Sequence, residues 1–138
     1  MKIMVSACLL GENCKYNGGN NYNQRIVDFL QGREIIAVCP ERLAGLGIPR
    51  TPIELRDGVM YDEDGNCVDG QISSAIAQIL SETDADELEC AILKSRSPTC
   101  GVKQIYDGSF TRTLIDGMGA LARALSDRGV RLIDSEDL

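Results

Sequence analysis

Three short apolar runs in the sequence are each followed, directly or after a short loop, by a cysteine, and this feature restricts the possible folds most. Four or five apolar residues bounded by polar ones are typical of a strand buried in a sheet. The runs occupy residues 4–7, 35–38 and 90–93, and the cysteines that follow them are Cys8, Cys39 and Cys100. Helical spacing of apolar residues occurs between the runs, and this alternation predicts βαβ units and a parallel sheet.

The same kind of pattern predicts the remaining elements. Strands are expected over residues 2–7, 34–38, 90–93 and 130–133, those at 34–38 and 90–93 being buried, and helices over residues 23–31, 70–82 and 118–126. Asp-Gly pairs indicate two hairpins, one over residues 53–55 and 59–68 and one over residues 103–106 and 109–114. Residues 11–23 and 40–52 are expected to be irregular. The predicted fold class is α/β: residues 1–138 form a single compact domain with a mostly parallel, Rossmann-like sheet, helices on its faces and small hairpin insertions.

Length, charge and hydropathy exclude several classes of protein. A chain of 138 residues corresponds to one ordinary domain, which buries roughly 65–70% of the surface of its unfolded form. The net charge of −7 disfavours a nucleic-acid-binding protein, because neutralising phosphates requires clustered Lys and Arg. No run approaches the roughly 18 apolar residues of a membrane span. We therefore expect a cytoplasmic protein with neither a nucleic-acid partner nor a membrane partner.

The chain has six cysteines and no histidine. A disulfide framework is typical of small secreted proteins, whereas this chain has enough helix-forming sequence to build a core without such bridges. The absence of histidine excludes Ser-His-Asp and Cys-His catalysis and every histidine-ligated metal site. Any chemistry must therefore use thiolates, carboxylates, hydroxyls, Lys, Arg or a cofactor.

Three of the cysteines are expected to lie at one edge of the sheet. Ligands of open parallel sheets bind beyond the carboxyl ends of the strands, and Cys8, Cys39 and Cys100 all follow predicted strands. They are separated by 31 and 61 residues, unlike the C-x-x-C pairs of structural zinc sites. Three thiolates without histidine indicate a soft metal or an iron–sulfur cluster. The competing interpretation is that each is an ordinary buried thiol.

The other cysteines have different expected roles. Cys90 lies inside a predicted strand and is expected in the core, whereas Cys67 lies near a hairpin and is expected to be structural or exposed. Cys14 lies six residues after Cys8 in the Asn- and Gly-rich segment. Its role is left open between a fourth ligand, a persulfide carrier and a redox partner of Cys8.

Six segments of the chain resemble, in the same order, the patterns of one known family. They are SACLLG at residues 6–11, CKYNG at 14–18, VCPE at 38–41, PRTPIE at 49–54, LKSRSPTCG at 93–101 and YDG at 106–108. The sequence is similar to the DUF523 family over essentially its whole length. This family includes the thiouracil desulfidases. The sequence departs from the usual family pattern at Thr99, where Ser is commoner, and at Ala44, where Gly is commoner.

The resemblance implies a cofactor and a set of site residues. It implies a [4Fe-4S] cluster bound by Cys8, Cys39 and Cys100, with Glu41 and Ser97 acting in catalysis beside it. An exposed site with three protein ligands can lose its iron when the protein is prepared in air. Glu41 would activate water or pass protons to the ring nitrogen, and Ser97 would donate a hydrogen bond or relay a proton.

The function implied is that of an iron–sulfur-dependent desulfidase. It would remove sulfur from a small thiolated nucleobase such as 2-thiouracil and release hydrogen sulfide, with the substrate sulfur bound at the iron that has no protein ligand. The acidic surface favours a free base or nucleoside over intact tRNA. The alternative is a non-enzymatic metal- or sulfur-binding protein, or a thiol redox protein, that uses the same cysteines.

Several of these side chains also have ordinary structural explanations. Glu41 could pair with Arg42 or Arg50, and Ser97 before a proline is a common turn residue. Arg50 and Lys94 could bind an anionic or carbonyl group of a substrate, or be ion-paired or solvated. The acidic residues at the carboxyl terminus, Asp134, Glu136 and Asp137, are expected to form a solvated tail.

Overall fold

The computed structural model describes residues 1–138 and contains eight strands and four α-helices. The strands are β1 (Lys2–Ser6), β2 (Glu34–Val38), β3 (Ile53–Arg56), β4 (Val59–Asp62), β5 (Leu88–Leu93), β6 (Gln104–Tyr106), β7 (Leu114–Asp116) and β8 (Leu132–Asp134). The helices are α1 (Gln24–Phe29), α2 (Pro40–Leu43), α3 (Asp69–Ser81) and α4 (Ala120–Asp127). None of the helices combines the length and the apolar character that a membrane span requires.

The centre of the molecule is a four-stranded sheet in the order β2-β1-β5-β8, with every pair parallel. From β1 the chain crosses to β2 on one side, and after β2 it returns to β5 on the other side of β1. The order of the strands therefore reverses at β1, and a crevice forms beyond the carboxyl ends of such strands. The two hairpins, β3-β4 and β6-β7, are separate from this sheet. The predicted α/β class with a parallel sheet and small hairpins is confirmed.

Helices cover both faces of the sheet because β1 is apolar on both sides. Met4 belongs to the larger core cluster, which includes residues of α3 and α4 such as Ile72 and Leu121. Val5, the next residue, points to the opposite face and belongs to a smaller cluster that contains Ile26 of α1. Met4 and Val5 are completely buried, as expected for a central parallel strand.

Two predictions about the region of β2 are wrong. The strand has the predicted bounds, but it pairs only with β1 and its Ile35 is 42% exposed, so it is an edge strand rather than a buried one. Residues 40–52 were expected to be irregular throughout, yet α2 begins at Pro40 directly after Cys39. Proline is well suited to the first position of a helix, because its fixed φ is helical and its missing N–H needs no partner there.

The first hairpin lies where it was predicted, although β4 ends at Asp62 and not at residue 68, and the second hairpin differs more. Strands β3 and β4 turn at Asp57 and Gly58, which both have positive φ. In the second hairpin, only Leu114 of the strand expected over residues 109–114 belongs to β7, and residues 109–113 form a loop. Within that loop Ser109 donates its backbone N–H to the Asp107 carboxylate over 2.9 Å. Such local side-chain bonds compete with strand pairing, which is why the ladder resumes only later in the chain.

Candidate functional site

A cavity of about 730 Å³ opens at the carboxyl end of the parallel sheet. The structure places all six predicted site residues in its wall. They are Cys8, Cys14, Cys39, Glu41, Ser97 and Cys100. The three strands that precede them, β1, β2 and β5, are neighbours in the sheet, so residues far apart in sequence meet at one edge. All the cysteines of the chain are free thiols.

Cys8 lies on a single 3₁₀ turn, Ala7–Leu10, that directly continues β1. The turn ends at Gly11, whose φ of 95° is accessible to glycine at little cost. The amide Nδ2 of Asn21 donates to Cys8 Sγ over 3.4 Å, and the Asn21 backbone N–H donates to the Cys8 carbonyl over 3.0 Å. Burial raises the pKa of the Cys8 thiol, and the hydrogen bond from Asn21 opposes this rise. Asn21 is therefore a site residue that sequence analysis did not identify.

Cys39 is the N-cap residue of α2, so the strand ends and the helix begins at this thiol. The same short helix places Glu41 in its first turn, two residues later. Cys14 lies beside this segment and is buried, with its carbonyl oxygen 3.9 Å from Cys39 Sγ. Burial and, to a smaller extent, the neighbouring Cys39 together raise the pKa of the Cys14 thiol to about 12. The first turn of α2 thus holds the thiol of Cys39 and the carboxyl group of Glu41 close together.

Glu41 is held by a buried arginine. Its carboxylate lies 3.5 Å from Arg50 Nη2, with the side chains 17% and 5% exposed. Arg50 Nη2 also donates to the Cys14 carbonyl over 2.8 Å, which ties the loop of Cys14 to α2. Burial raises the pKa of Glu41 and the positive charge of Arg50 opposes the rise. Of the two arginines considered from the sequence, Arg42 pairs instead with Glu12 over 2.9 Å.

Ser97 and Thr99 lie on the loop that connects β5 to Cys100. Ser97 Oγ accepts hydrogen bonds from the backbone N–H groups of Thr99 and Cys100, over 3.2 and 3.0 Å. The Thr99 hydroxyl lies 3.1 Å from Ser97 Oγ and 3.4 Å from the Glu41 carboxylate. Cys100 is buried, and this burial raises its pKa to about 12. Ser97 therefore stabilises the turn, as its position before a proline suggested, and it also lines the cavity.

The amino-terminal end of α4 fixes this loop. The backbone N–H groups of Ala120 and Leu121 donate to the carbonyls of Pro98 and Thr99 over 2.9 and 2.8 Å. The first N–H groups of a helix have no partner within the helix, so the loop carbonyls satisfy them. Gly119 approaches so closely that a Cβ atom there would lie 2.5 Å from the carbonyl carbon of Thr99. Its φ of −67° suits any residue, so the need for glycine is steric.

Gly119→Ala is therefore expected to destabilise the protein by about 1–3 kcal/mol, the usual cost of overpacking. The added methyl group would strike backbone atoms of Thr99 and Cys100, so the loop that carries Cys100 must move. The measurement is the free energy of unfolding in urea.

Gly70→Ala is the matched control, because Gly70 lies in α3 with nothing within 4 Å of an added Cβ. It should be neutral or stabilise the protein by up to about 1 kcal/mol. Equal effects of the two substitutions would contradict the steric argument.

The carboxyl-terminal acidic residues contact the same loop, and the prediction of a solvated tail is wrong for Asp134, whereas Glu136 and Asp137 are exposed as expected. Asp134 is buried, and its carboxylate accepts the backbone N–H of Glu136 over 2.9 Å. Glu136 pairs with Arg96 of the loop. The buried Ser135 hydroxyl accepts the Ser95 backbone N–H over 3.0 Å. The 3₁₀ turn formed by Ser135–Asp137 therefore packs against the loop.

Lys94 lies in the cavity wall near Cys8, but its ammonium group already has partners. Its Nζ donates to the Ser95 carbonyl over 3.0 Å and lies 3.1 Å from the Ser95 hydroxyl. Burial lowers the pKa of Lys94, while the nearby thiol of Cys8 opposes this shift. The sequence left open whether Lys94 and Arg50 bind a substrate or are paired or solvated. In the structure, the charged groups of both residues contact other groups of the protein.

The thiols fit an iron–sulfur cluster better than a single metal ion. No three Cys, Asp or Glu side chains lie close enough together to share one ion. In a cubic cluster each cysteine binds a different iron, so its thiols surround a volume instead of a point. Cys8, Cys39 and Cys100 all line one cavity without forming a single-ion group, and their donor set is soft. Cys90, by contrast, is buried in the core, and Cys67 is exposed.

Comparisons with known proteins agree over the whole chain. The model of the 2-thiouracil desulfurase family matches residues 3–137. The uncharacterized protein YbbK of Bacillus subtilis (strain 168) is 32% identical over 146 aligned positions, which cover 99% of this chain and 97% of YbbK. The solved structure of the [4Fe-4S]-dependent thiouracil desulfidase TudS superposes with a TM-score of 0.90 and 33% identity, covering 99% of this chain and 92% of that one. The resemblance found in the sequence is confirmed, and the chain belongs to the 2-thiouracil desulfurase family.

Proposed function

We propose that the protein is a [4Fe-4S]-dependent desulfidase that removes sulfur from a small thiolated pyrimidine such as 2-thiouracil and releases hydrogen sulfide. One observation carries the proposal: the thiols that follow three adjacent parallel strands line one cavity, whose wall also contains a carboxyl group and a hydroxyl group. Membership of the 2-thiouracil desulfurase family and the likeness to TudS support the same activity.

The residues that would hold the cluster are Cys8, Cys39 and Cys100. Cys14 is a further candidate ligand, because it lies in the same wall beside Cys39. When bound, the cluster supplies a Lewis-acidic iron suited to a soft sulfur atom. The remaining chemistry belongs to side chains of this chain.

Glu41 is the proposed base that prepares water for attack on the thiocarbonyl carbon. Its carboxylate is largely buried and is oriented by Arg50, so it is held in place at the cavity wall. A positioned carboxylate of this kind takes a proton from water as the new C–O bond forms, and can return it to the ring nitrogen or to the departing sulfur. Water supplies the oxygen that replaces sulfur, hydrogen sulfide leaves, and no electrons are exchanged.

Ser97 is the proposed hydrogen-bond donor to the substrate. Two backbone N–H groups occupy acceptor positions of its oxygen, which leaves its proton as the group available for another partner. The cavity of about 730 Å³ readily admits a pyrimidine ring. The net charge of −7 favours a small substrate over a nucleic acid.

The test is an anaerobic assay of the reconstituted protein. We expect a brown protein that contains iron and acid-labile sulfide and that releases sulfide and uracil from 2-thiouracil in equal amounts over many turnovers. Protein treated identically without iron is the control. Iron and sulfide in the protein without turnover would favour a storage or sensing role. Reversible disulfide formation without bound iron would favour the thiol redox alternative.

A further inference from the structure

The Thr99 side chain lies between the two side chains proposed to act on the substrate. Its Oγ1 is 3.1 Å from Ser97 Oγ and 3.4 Å from Glu41 Oε2, and the residue is 1% exposed. The contact with Glu41 is longer than an ordinary hydroxyl–carboxylate hydrogen bond. Catalytic hydrogen bonds are often long without substrate and shorten when it binds. The oxygens of Ser97, Thr99 and Glu41 thus form a continuous row, in which Thr99 is the middle member.

The direction of the hydrogen bonds in this row follows from the chemistry of its members. An ionised carboxylate only accepts, so Thr99 donates its single proton to Glu41. The oxygen of Thr99 must then accept from Ser97. Ser97 can donate in this direction, because its own acceptor positions are occupied by the N–H groups of Thr99 and Cys100. With Glu41 ionised, the Ser97 proton therefore points to Thr99 until an acceptor of the substrate competes for it.

We infer that Thr99 is a positioning residue that couples Glu41 to Ser97 through its hydroxyl. This inference rests on the proposed function and deepens it. Thr99 suits the task, because a β-branched side chain has few χ1 rotamers and its backbone carbonyl is held by the N–H of Leu121 over 2.8 Å. The hydroxyl is consequently held between its two partners.

A second acceptor competes for the same proton. Cys100 Sγ lies 3.7 Å from Thr99 Oγ1. If Thr99 served mainly to donate to this sulfur, its removal would disturb the cysteine and the iron it holds. If Thr99 bridges Glu41 and Ser97, its removal leaves the iron in place and impairs turnover. Iron content and kinetics therefore distinguish the two roles.

The test compares Thr99→Val, which keeps the shape but loses the hydroxyl, with Thr99→Ser, which keeps the hydroxyl. With 2-thiouracil as substrate, Thr99→Val is expected to lower kcat by roughly 10- to 100-fold, less than the 10²- to 10⁴-fold contribution of a group that itself transfers a proton, with KM changed less than about twofold. Thr99→Ser should restore most of the rate. Thr83→Val is the matched control, because Thr83 Oγ1 donates over 2.7 Å to a helix carbonyl, that of Ile79, and Thr83 does not line the cavity.

A double-mutant cycle makes the coupling itself measurable. If the bridge operates, Thr99→Val should cost less rate once Ser97 is alanine, because one of the two groups that the hydroxyl couples is already absent. Additive effects on kcat, a Thr99→Val rate equal to that of Thr83→Val, or loss of iron in Thr99→Val would each overturn the inference.

The same cycle on the urea unfolding of the reconstituted protein requires no substrate. Non-additive destabilisation by Thr99→Val and Ser97→Ala supports the bridge, and additive destabilisation overturns it. A wild-type protein that releases no sulfide from 2-thiouracil would contradict the proposed function, while the unfolding cycle would still decide whether Thr99 and Ser97 are coupled.

Discussion

Cys39→Ser is expected to lose its bound iron and all release of sulfide from 2-thiouracil. A serine hydroxyl is a harder and much less acidic ligand than a thiol, so it does not replace a thiolate at an iron–sulfur cluster. Cys8→Ser and Cys100→Ser should behave alike, because each thiol is proposed to bind a different iron. The measurements are iron and acid-labile sulfide per chain after anaerobic reconstitution, the visible absorption of the cluster, and the rate of sulfide release.

Cys67→Ser is the matched control for these substitutions. Cys67 is exposed and does not line the cavity, so its replacement should leave iron content and rate unchanged. Full iron content in any of the three ligand variants would remove that cysteine from the proposed ligand set. The same measurement on Cys14→Ser decides whether the fourth thiol of the cavity also binds the cluster.

Glu41→Gln is expected to lower kcat by roughly 10²- to 10⁴-fold while the protein keeps its iron. Glutamine has nearly the same size as glutamate and can still accept a hydrogen bond from Arg50, but it cannot take a proton from water. Substrate binding should change little, because the proposed role of Glu41 is to act on the proton of water. The effect should therefore appear in kcat rather than in KM.

Glu63→Gln provides the comparison, because it removes another carboxylate from the rim of the same cavity where the side chain is exposed. It should retain the wild-type rate and iron content. Equal rates of wild type and Glu41→Gln would exclude Glu41 from the mechanism. The more drastic Glu41→Ala should be at least as slow, and it also leaves Arg50 without its ion-pair partner.

The sequence determined the fold class and the location of the candidate site. Apolar runs at residues 4–7, 35–38 and 90–93 alternate with helical patterns, and parallel strands connected in this way must end at the same edge. Any residue directly after such strands is therefore near the others, which is why Cys8 and Cys39 were placed together without coordinates. The start of α1 could also be predicted from local sequence, because asparagine is a favoured N-cap residue. The Asn23 side chain accepts the Ile26 N–H over 3.2 Å.

Local signals failed where a segment's environment is set by distant parts of the chain. The apolar pattern of β2 does not reveal that no strand pairs with its outer side, so Ile35 was expected to be buried. The acidic character of residues 134–137 suggested a solvated tail, but Asp134 and Ser135 are buried. These residues are ordered because Arg96, Ser95 and Lys103 of the neighbouring loop offer partners, and that pairing spans 34 to 40 residues.

The division of roles within the site was likewise decided by the tertiary structure. Arg50 rather than the nearer Arg42 pairs with Glu41, because the irregular chain between them folds back and buries the Arg50 guanidinium against α2. Thr99 lies between Glu41 and Ser97 on a loop whose carbonyl groups accept the first N–H groups of α4, a contact that no local pattern predicts. The sequence alone could place these residue types near one edge of a sheet. Which oxygen faces which proton depends on packing between segments that are more than fifty residues apart.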